Sequence, residues 1–397
     1  MADSRDVGEC LAVSPPLYLD HAATAAPMPE AIEAFVKASA EAFANPGSPH
    51  QAGATAARWL QKSRNELKSA FGASEFRVVW TSSGTESNHL AIQGLAGSPR
   101  AGLDRILVGA AEHPSATMAA ESLAKLGFSV EEVPVDKGGI VRPSALKEAL
   151  SDNVALVTIQ WANNELGSLN PLAELAQLTR TIAPKAIFHT DAVQAVGKRH
   201  EPLDALGVHA ASVAAHKIGG VRGCAALFLS NHCPDPKPLF VGGGQEEGLR
   251  SGTENVMGAA AFSAAATARR KQLNETPRVM LDLRQDLLAA LKEAAPDMEV
   301  LGPEEENEIM GSILAAAFPG TRAANLIHHL EAEGIQVGSG SACNSDSPKV
   351  SRVQAAAGIP EELALSTLRF SLGGQETGED LKKAAQALVR ARNALIS

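Results

Sequence analysis

The sequence predicts an α/β protein, with a large domain built on a mostly parallel, helix-covered sheet and a smaller α+β domain after it. Three observations carry this. Runs that are apolar at nearly every position alternate with helical patterns to about residue 230, as expected of parallel strands buried on both faces and joined by crossover helices. From about residue 255 the texture turns alanine-rich and helical, with a few short strand candidates. The 397 residues also exceed what one hydrophobic core usually holds.

In chain order, PEAIEAFVKASAEAF (29–43) and GATAARWLQKSRNELKSAFG (53–72) read as amphipathic helices. RVVW (77–80), RILVG (105–109), VALVTIQW (154–161), AIFHTD (186–191) and ASVAA (211–215) read as buried strands. The second region opens with the helical stretches 258–275 and 278–295. Strand candidates follow at GSILAAAF (311–318) and STLRFSLG (366–373), and a helix over 379–397 ends the chain.

Composition narrows the function. The net charge of -10, from 35 basic and 45 acidic residues, with no Lys/Arg-rich run, argues against nucleic acid or an anionic membrane as partner. No uncharged apolar run reaches 18 residues, and the N-terminus lacks a secretory pattern, so a reducing cytoplasm is the expectation. Cysteines at 10, 224, 233 and 343 are too widely spaced for a disulfide framework or a zinc site, and no metal is expected.

Three motifs carry chemistry. TSSGTESNHLAI (81–92) places a Ser/Thr/Gly loop between a strand and a helix, so free N–H groups and a helix dipole await a phosphate around Gly84 and Thr85. Ser83-x-x-Glu86 is equally a capping box. In FHTDAVQAVGK (188–198), Asp191 follows a strand and is either a helix cap or the partner of a buried cation. In ASVAAHKIGG (211–220), Lys217 ends a strand, where a lysine either reaches the surface or is reactive. Together they match what pyridoxal phosphate requires: a phosphate cradle, an acid for the pyridine nitrogen and a lysine for the aldehyde. His113, in AEHPSA (111–116), is placed to stack on the ring and shuttle protons, or is a structural histidine. GSGSACNSDSPK (338–349) sets Cys343 among small and polar residues, an unusual place for a structural thiol.

Ten motifs occur in order: YLDHAAT, NPGSPH, TSSGTESN, EHPS, NNELG, HTDAVQAVGK, HK, RSGT, GSGSAC and LRFSLG. They resemble the cysteine desulfurases, fold-type I pyridoxal phosphate enzymes of the class V aminotransferase group, over about residues 17–395. The resemblance implies a seven-stranded large domain over 17–258, and a small domain of 1–16 plus 259–397 carrying the cysteine loop. It implies Lys217 as the Schiff-base lysine, Asp191 on the pyridine nitrogen, Gln194 on the ring oxygen, and Gly84, Thr85 and His216 on the phosphate. It further implies His113 over the ring, Asn164 on cofactor oxygen and substrate carboxylate, and Arg369 on that carboxylate, with Asn45 nearby. Thr253 would reach the partner subunit's phosphate, so a homodimer is implied. The implied reaction turns L-cysteine into L-alanine, with sulfur passing to Cys343 as a persulfide and on to an acceptor or scaffold protein for iron–sulfur cluster assembly or thiolation.

The long segment between Cys343 and LRFSLG resembles the long-loop branch of the family. The chain departs from the family at Ala214, where relatives carry a hydroxyl, at Gly219-Gly220-Val221-Arg222 after the lysine, and in its very short C-terminal tail. Asp346 and Lys349 add charge after the cysteine. Selenocysteine lyase, a class V aminotransferase or cysteine lyase that does not use Cys343, and a non-catalytic scaffold remain alternatives.

Overall fold

Strands that are apolar on both faces need cover on both sides, and the architecture supplies it. The computed structural model describes residues 16–97, 102–340 and 350–396; Cys10, Cys343, Asp346 and Lys349 lie outside them. After a short first strand β1 (Leu17–Leu19), helices α1 (Pro29–Glu41) and α2 (Gln51–Phe71) lead into the larger sheet. Its strands are β2 (Phe76–Thr81), β3 (Arg105–Gly109), β4 (Ser129–Val133), β5 (Val154–Thr158), β6 (Ile187–Asp191), β7 (Ala210–Ala214) and β8 (Ala225–Ser230), in the order β2-β8-β7-β6-β5-β3-β4. β8 runs antiparallel to both neighbours, and the other pairings are parallel. β5, β6 and β7 are buried at every position.

Helices α3 (Gly84–Ala96) and α4 (Pro114–Leu123) cover one face through Leu90, Ile92, Leu95, Ala116, Ala120 and Leu123. Helix α5 (Pro143–Ala149) and helix α6 (Leu172–Ile182) connect β4 to β5 and β5 to β6. The other face packs Phe76, Val78, Trp80, Phe188 and Phe228 against Leu60 and Leu67 of α2 and Phe262 of α7 (Val256–Gln272). Burying each such large side chain stabilises the fold by about 1.5–3 kcal/mol.

The second sheet joins β9 (Glu299–Leu301), β10 (Ile313–Ala317), β11 (Ile335–Ser339) and β12 (Thr367–Ser371), with β1 added in parallel beside β11. Helix α8 (Thr276–Ala294), helix α9 (Ala323–Ala332) and the C-terminal helix Gly378–Ile396 close a separate core around Leu287, Leu326, Phe370 and Leu388.

Two segments fall on the other side of the expected domain boundaries, which lie after residues 16 and 258. Leu17–Leu19 belongs to the smaller sheet, because its backbone pairs with Ile335–Val337. α7 packs on α1 and α2 and shares the larger core through Ala259, Phe262 and Ala265. VALVTIQW ends as a strand at Thr158, although Ile159 and Trp161 still donate to the His189 and Asp191 carbonyls of β6.

Candidate active site

The carboxyl ends of β3, β5, β6 and β7 open on one side of the larger sheet, where such sheets collect ligands. A cavity of about 470 Å³ lies there, walled on its far side by Ser339, Gly340 and Arg369 of the smaller sheet region. It gathers Gly84, Thr85, His113, Asn164, Asp191, Gln194, His216, Lys217 and Arg369, positions spread over nearly 300 residues of sequence.

Asp191 ends β6 and is buried. Asn88, one turn into α3, donates Nδ2 to its Oδ2 at 2.8 Å, and Val193 donates its backbone N–H to Oδ1 at 3.0 Å. The carboxylate is therefore oriented before any ligand arrives. Lys217 follows β7 and donates Nζ to the carbonyls of Ala22 (2.6 Å) and Ala23 (2.9 Å). Burial and the nearby Arg369 lower its pKa to about 8, against the opposing pull of Asp191 and Asp20. Gly219 (φ 90) lets the chain turn after it; a side chain there would meet Met28 Cγ at 2.5 Å.

His113 caps α4: its Nδ1 accepts the Ser115 backbone N–H at 3.1 Å, which leaves its proton on Nε2. The residue is exposed and lines the cavity. Desolvation lowers its pKa, with Asp191 opposing and Lys217 adding to the shift. His216 is held to Thr24 Oγ1 at 3.1 Å, and burial with Lys217, Arg222 and Lys198 nearby lowers its pKa to about 4.

The 81–92 loop caps its helix and also leaves backbone donors unclaimed. Ser83 Oγ caps α3 by accepting the Glu86 N–H at 3.1 Å. Glu86 reaches past the usual capping-box position to the Ser82 N–H (2.7 Å) and hydroxyl (2.5 Å). Among the described residues nothing takes the N–H groups of Ser83, Gly84 and Thr85, so they are available to an anion. Ala214 lies buried close to Gly84, with no hydroxyl to contribute.

Arg369, on β12, pairs with Asp20 at 2.6 Å and donates to the Asn164 carbonyl at 3.1 Å, while its buried Nε has no partner among the described residues. Thr253 and Asn45 do not line this cavity; both are exposed, and Asn45 Oδ1 accepts the Gly47 N–H at 2.8 Å. Cys343 lies outside the described residues. No cluster of potential metal ligands occurs among the described residues.

Roles for Asn88, Asp20 and Glu165 do not follow from their sequence positions, although each sits inside a motif quoted above. Asn88 follows Gly84 by four residues on a helix, which is the one signal that places them on the same face. Glu165 lines the cavity, accepts Ser351 Oγ at 2.5 Å, and is raised to about 7 by burial, opposed by Ser351 and Arg369. Glu112 is buried, and burial pushes its pKa well above the usual carboxylate range; its Oε1 accepts the Gln160 N–H and its Oε2 has no partner among the described residues.

The donor set fits pyridoxal phosphate. A pre-oriented carboxylate, a lysine of lowered pKa and three unclaimed N–H groups at a helix start converge on one cavity.

Comparison with known proteins agrees. The family described as aminotransferase class-V matches residues 17–383. A cysteine desulfurase IscS of Dictyoglomus turgidum is 35% identical over 374 residues, covering 94% of either chain. A cysteine desulfurase IscS of Methanosarcina thermophila is 34% identical, covering 94% of this chain and 91% of that one. A solved NifS-like protein superposes with a TM-score of 0.88 at 28% identity, over 96% of this chain and 100% of the other.

Proposed function

The chain belongs to the class V aminotransferase family as a cysteine desulfurase, and from that premise we propose that its cavity converts L-cysteine to L-alanine by passing sulfur to Cys343. The observation that carries this reading is the convergence of Lys217, Asp191 and Arg369 on one cavity. Pyridoxal phosphate, the family's cofactor, supplies a conjugated ring that takes up the electron pair left on a substrate carbon. Lys217 would hold its aldehyde carbon, Asp191 its ring nitrogen and Gln194 its ring oxygen. The Ser83–Thr85 N–H groups and His216 would hold its phosphate.

The chain's own residues divide the remaining work. Arg369 binds the substrate carboxylate: Asp20 engages one Nη and pre-aligns the guanidinium, whose Nη hydrogens beyond those taken by Asp20 and Asn164 are the donors. Asn164, whose carbonyl is fixed by Arg369, flanks that position. With a pKa near 8, a useful fraction of Lys217 is neutral at neutral pH and can take the Cα proton on Nζ. His113, neutral and carrying its proton on Nε2, serves as the second proton carrier. In the net reaction the substrate C–S bond breaks, an S–S bond forms on Cys343, and the substrate's β-carbon gains a proton.

Several finer readings belong to this proposal. A homodimer is supported by Thr253, which is exposed and outside its own chain's cavity, and by exposed apolar side chains at Ile32, Val36, Phe43, Phe240 and Val241. Asn45 would then stand near the substrate only in the assembled site. The persulfide passes to an acceptor or scaffold protein, in iron–sulfur cluster assembly or thiolation, in the cytoplasm. No helix among the described residues is long and apolar enough to cross a membrane.

The test is incubation with sulfur-labelled cysteine, followed by mass spectrometry of the Cys343 peptide. A labelled persulfide is expected there, and its absence from an active, cofactor-loaded enzyme would overturn the reading. Cys343→Ala should keep the cofactor's absorbance and lose alanine release. If Cys343→Ala still consumed cysteine at the wild-type rate, giving pyruvate and sulfide or a 2-oxo acid instead of alanine, the chain would be a lyase or aminotransferase that does not use Cys343.

A further inference from the structure

Gln194 and Lys198 stand four residues apart in the turns that follow β6, and both are buried, at 5% and 6% exposure. Lys198 is unusual for a buried lysine. Its Nζ makes one polar contact among the described residues, donating to Gln194 Oε1 at 3.3 Å, and no carboxylate pairs with it. The charged groups bearing on it are Lys217, Arg269 and Arg369, all cations. Burial first, and then these cations, lower its pKa to about 7. A buried lysine with no counter-ion is costly, and its amide partner suggests what it does.

A carboxamide has nearly the same shape in either orientation, so its partners decide which end faces which way. In its ammonium form, the form favoured below about pH 7, Lys198 only donates and so claims the oxygen. With Oε1 turned to Lys198, Gln194 Nε2 points at the Ala22 carbonyl, 2.9 Å away. That carbonyl also accepts Lys217 Nζ at 2.6 Å, which places the amide beside the reactive lysine. Gln194 lines the cavity, and Nε2 carries a second hydrogen beyond the one Ala22 takes.

We propose that Lys198 is a positioning residue: by holding Gln194 Oε1 it presents an N–H donor to the ring oxygen of the cofactor. The inference rests on the reading of this cavity as a pyridoxal phosphate site. The same cation biases a ring oxygen at that position toward its anion, which accepts the Nε2 hydrogen more strongly.

The experiment compares holoenzymes of the wild type, Lys198→Met, Gln194→Ala and the double variant. It reads the cofactor's visible absorption band, its pH titration and the Kd for pyridoxal phosphate. Lys198→Met is expected to shift the band and weaken binding about tenfold, the size of one charge-assisted hydrogen bond. Gln194→Ala should do the same. The double variant should be no worse than Gln194→Ala, because Lys198 acts only through that amide. An unmoved band and Kd in Lys198→Met would overturn the inference, as would effects that multiply in the double variant. Should Lys198→Met fail to fold, Gln194→Glu removes the donor while giving Lys198 a carboxylate. A shifted band in a protein of undiminished Tm is then expected, and an unshifted band overturns the proposal. A wild type with no visible cofactor band would instead overturn the parent reading, and this one with it.

Discussion

At Glu165 a carboxyl that lines the cavity accepts from Ser351 Oγ, its one hydrogen-bond donor among the described residues, and has a pKa raised from 4.5 to about 7 by burial. The folded state therefore favours its protonated form. Stability from this group is lost as pH rises from about 4.5 through about 7, where the folded protein must ionise it. Glu165→Gln keeps an acceptor for Ser351 and removes the titration. Its urea stability should fall less between pH 5.5 and 8 than that of the wild type, and parallel losses would show that the charge is well solvated. His216 works in the opposite direction. Its folded pKa of about 4 lies below the usual 6.5, so its contribution is present above 6.5 and is lost as pH falls toward 4. Arg369 matters through its fork. Arg369→Lys keeps a charge but loses the planar pair of donors. KM for cysteine should rise roughly 10- to 100-fold, in line with one or two charged hydrogen bonds, with a much smaller change in kcat. An unchanged KM would remove Arg369 from substrate binding.

The first turn of α3 does two jobs at the scale of the element. Ser83 caps it, Glu86 is diverted to Ser82, and the next N–H groups stay unclaimed. Arg250 also donates to Glu86 at 2.8 Å, which ties this turn to the segment that carries Thr253. Ser83→Ala should lower stability by about 1 kcal/mol, the usual worth of an N-cap, and should also weaken pyridoxal phosphate binding. A fall in Tm with unchanged cofactor affinity would separate the cap from the cradle. The strand β1 has a comparable double role. Its three residues pair with β11, and the chain beyond them delivers Asp20 to Arg369 and the Ala22 carbonyl to Lys217. So short a strand carries no periodic signal of its own. β4 was likewise invisible in the sequence, because SVEEV is a half-exposed edge strand with no apolar run.

On the scale of the whole molecule, the proposed dimer makes a sharp demand. If Thr253 serves the neighbouring site, subunits carrying Lys217→Ala and Thr253→Ala are each impaired alone. A mixed dimer then contains one site with both residues intact. Mixing the two after gentle dissociation should restore part of the activity, up to about a quarter of wild type given one good site in each mixed dimer and random pairing. No recovery in demonstrably mixed dimers would place Thr253 outside the site.

The fully buried strands, the long helices and the order of the ten motifs were determined by local sequence, because burial pattern and helix periodicity are properties of neighbouring residues. From them follow the fold class and the residues gathered in the cavity: Lys217, Asp191, Gln194, His113 and Arg369. Tertiary structure alone decided the rest. It set Asn88 against Asp191, Asp20 against Arg369, Glu165 against Ser351 and a lone buried ammonium against Gln194. Three of these four contacts join residues more than 100 positions apart. The fourth pair is near in sequence, yet its meaning comes from the absence of a counter-ion among the described residues, which only the packed surroundings reveal. Orientation, desolvation and charge balance arise where separate segments meet, and no single segment encodes them.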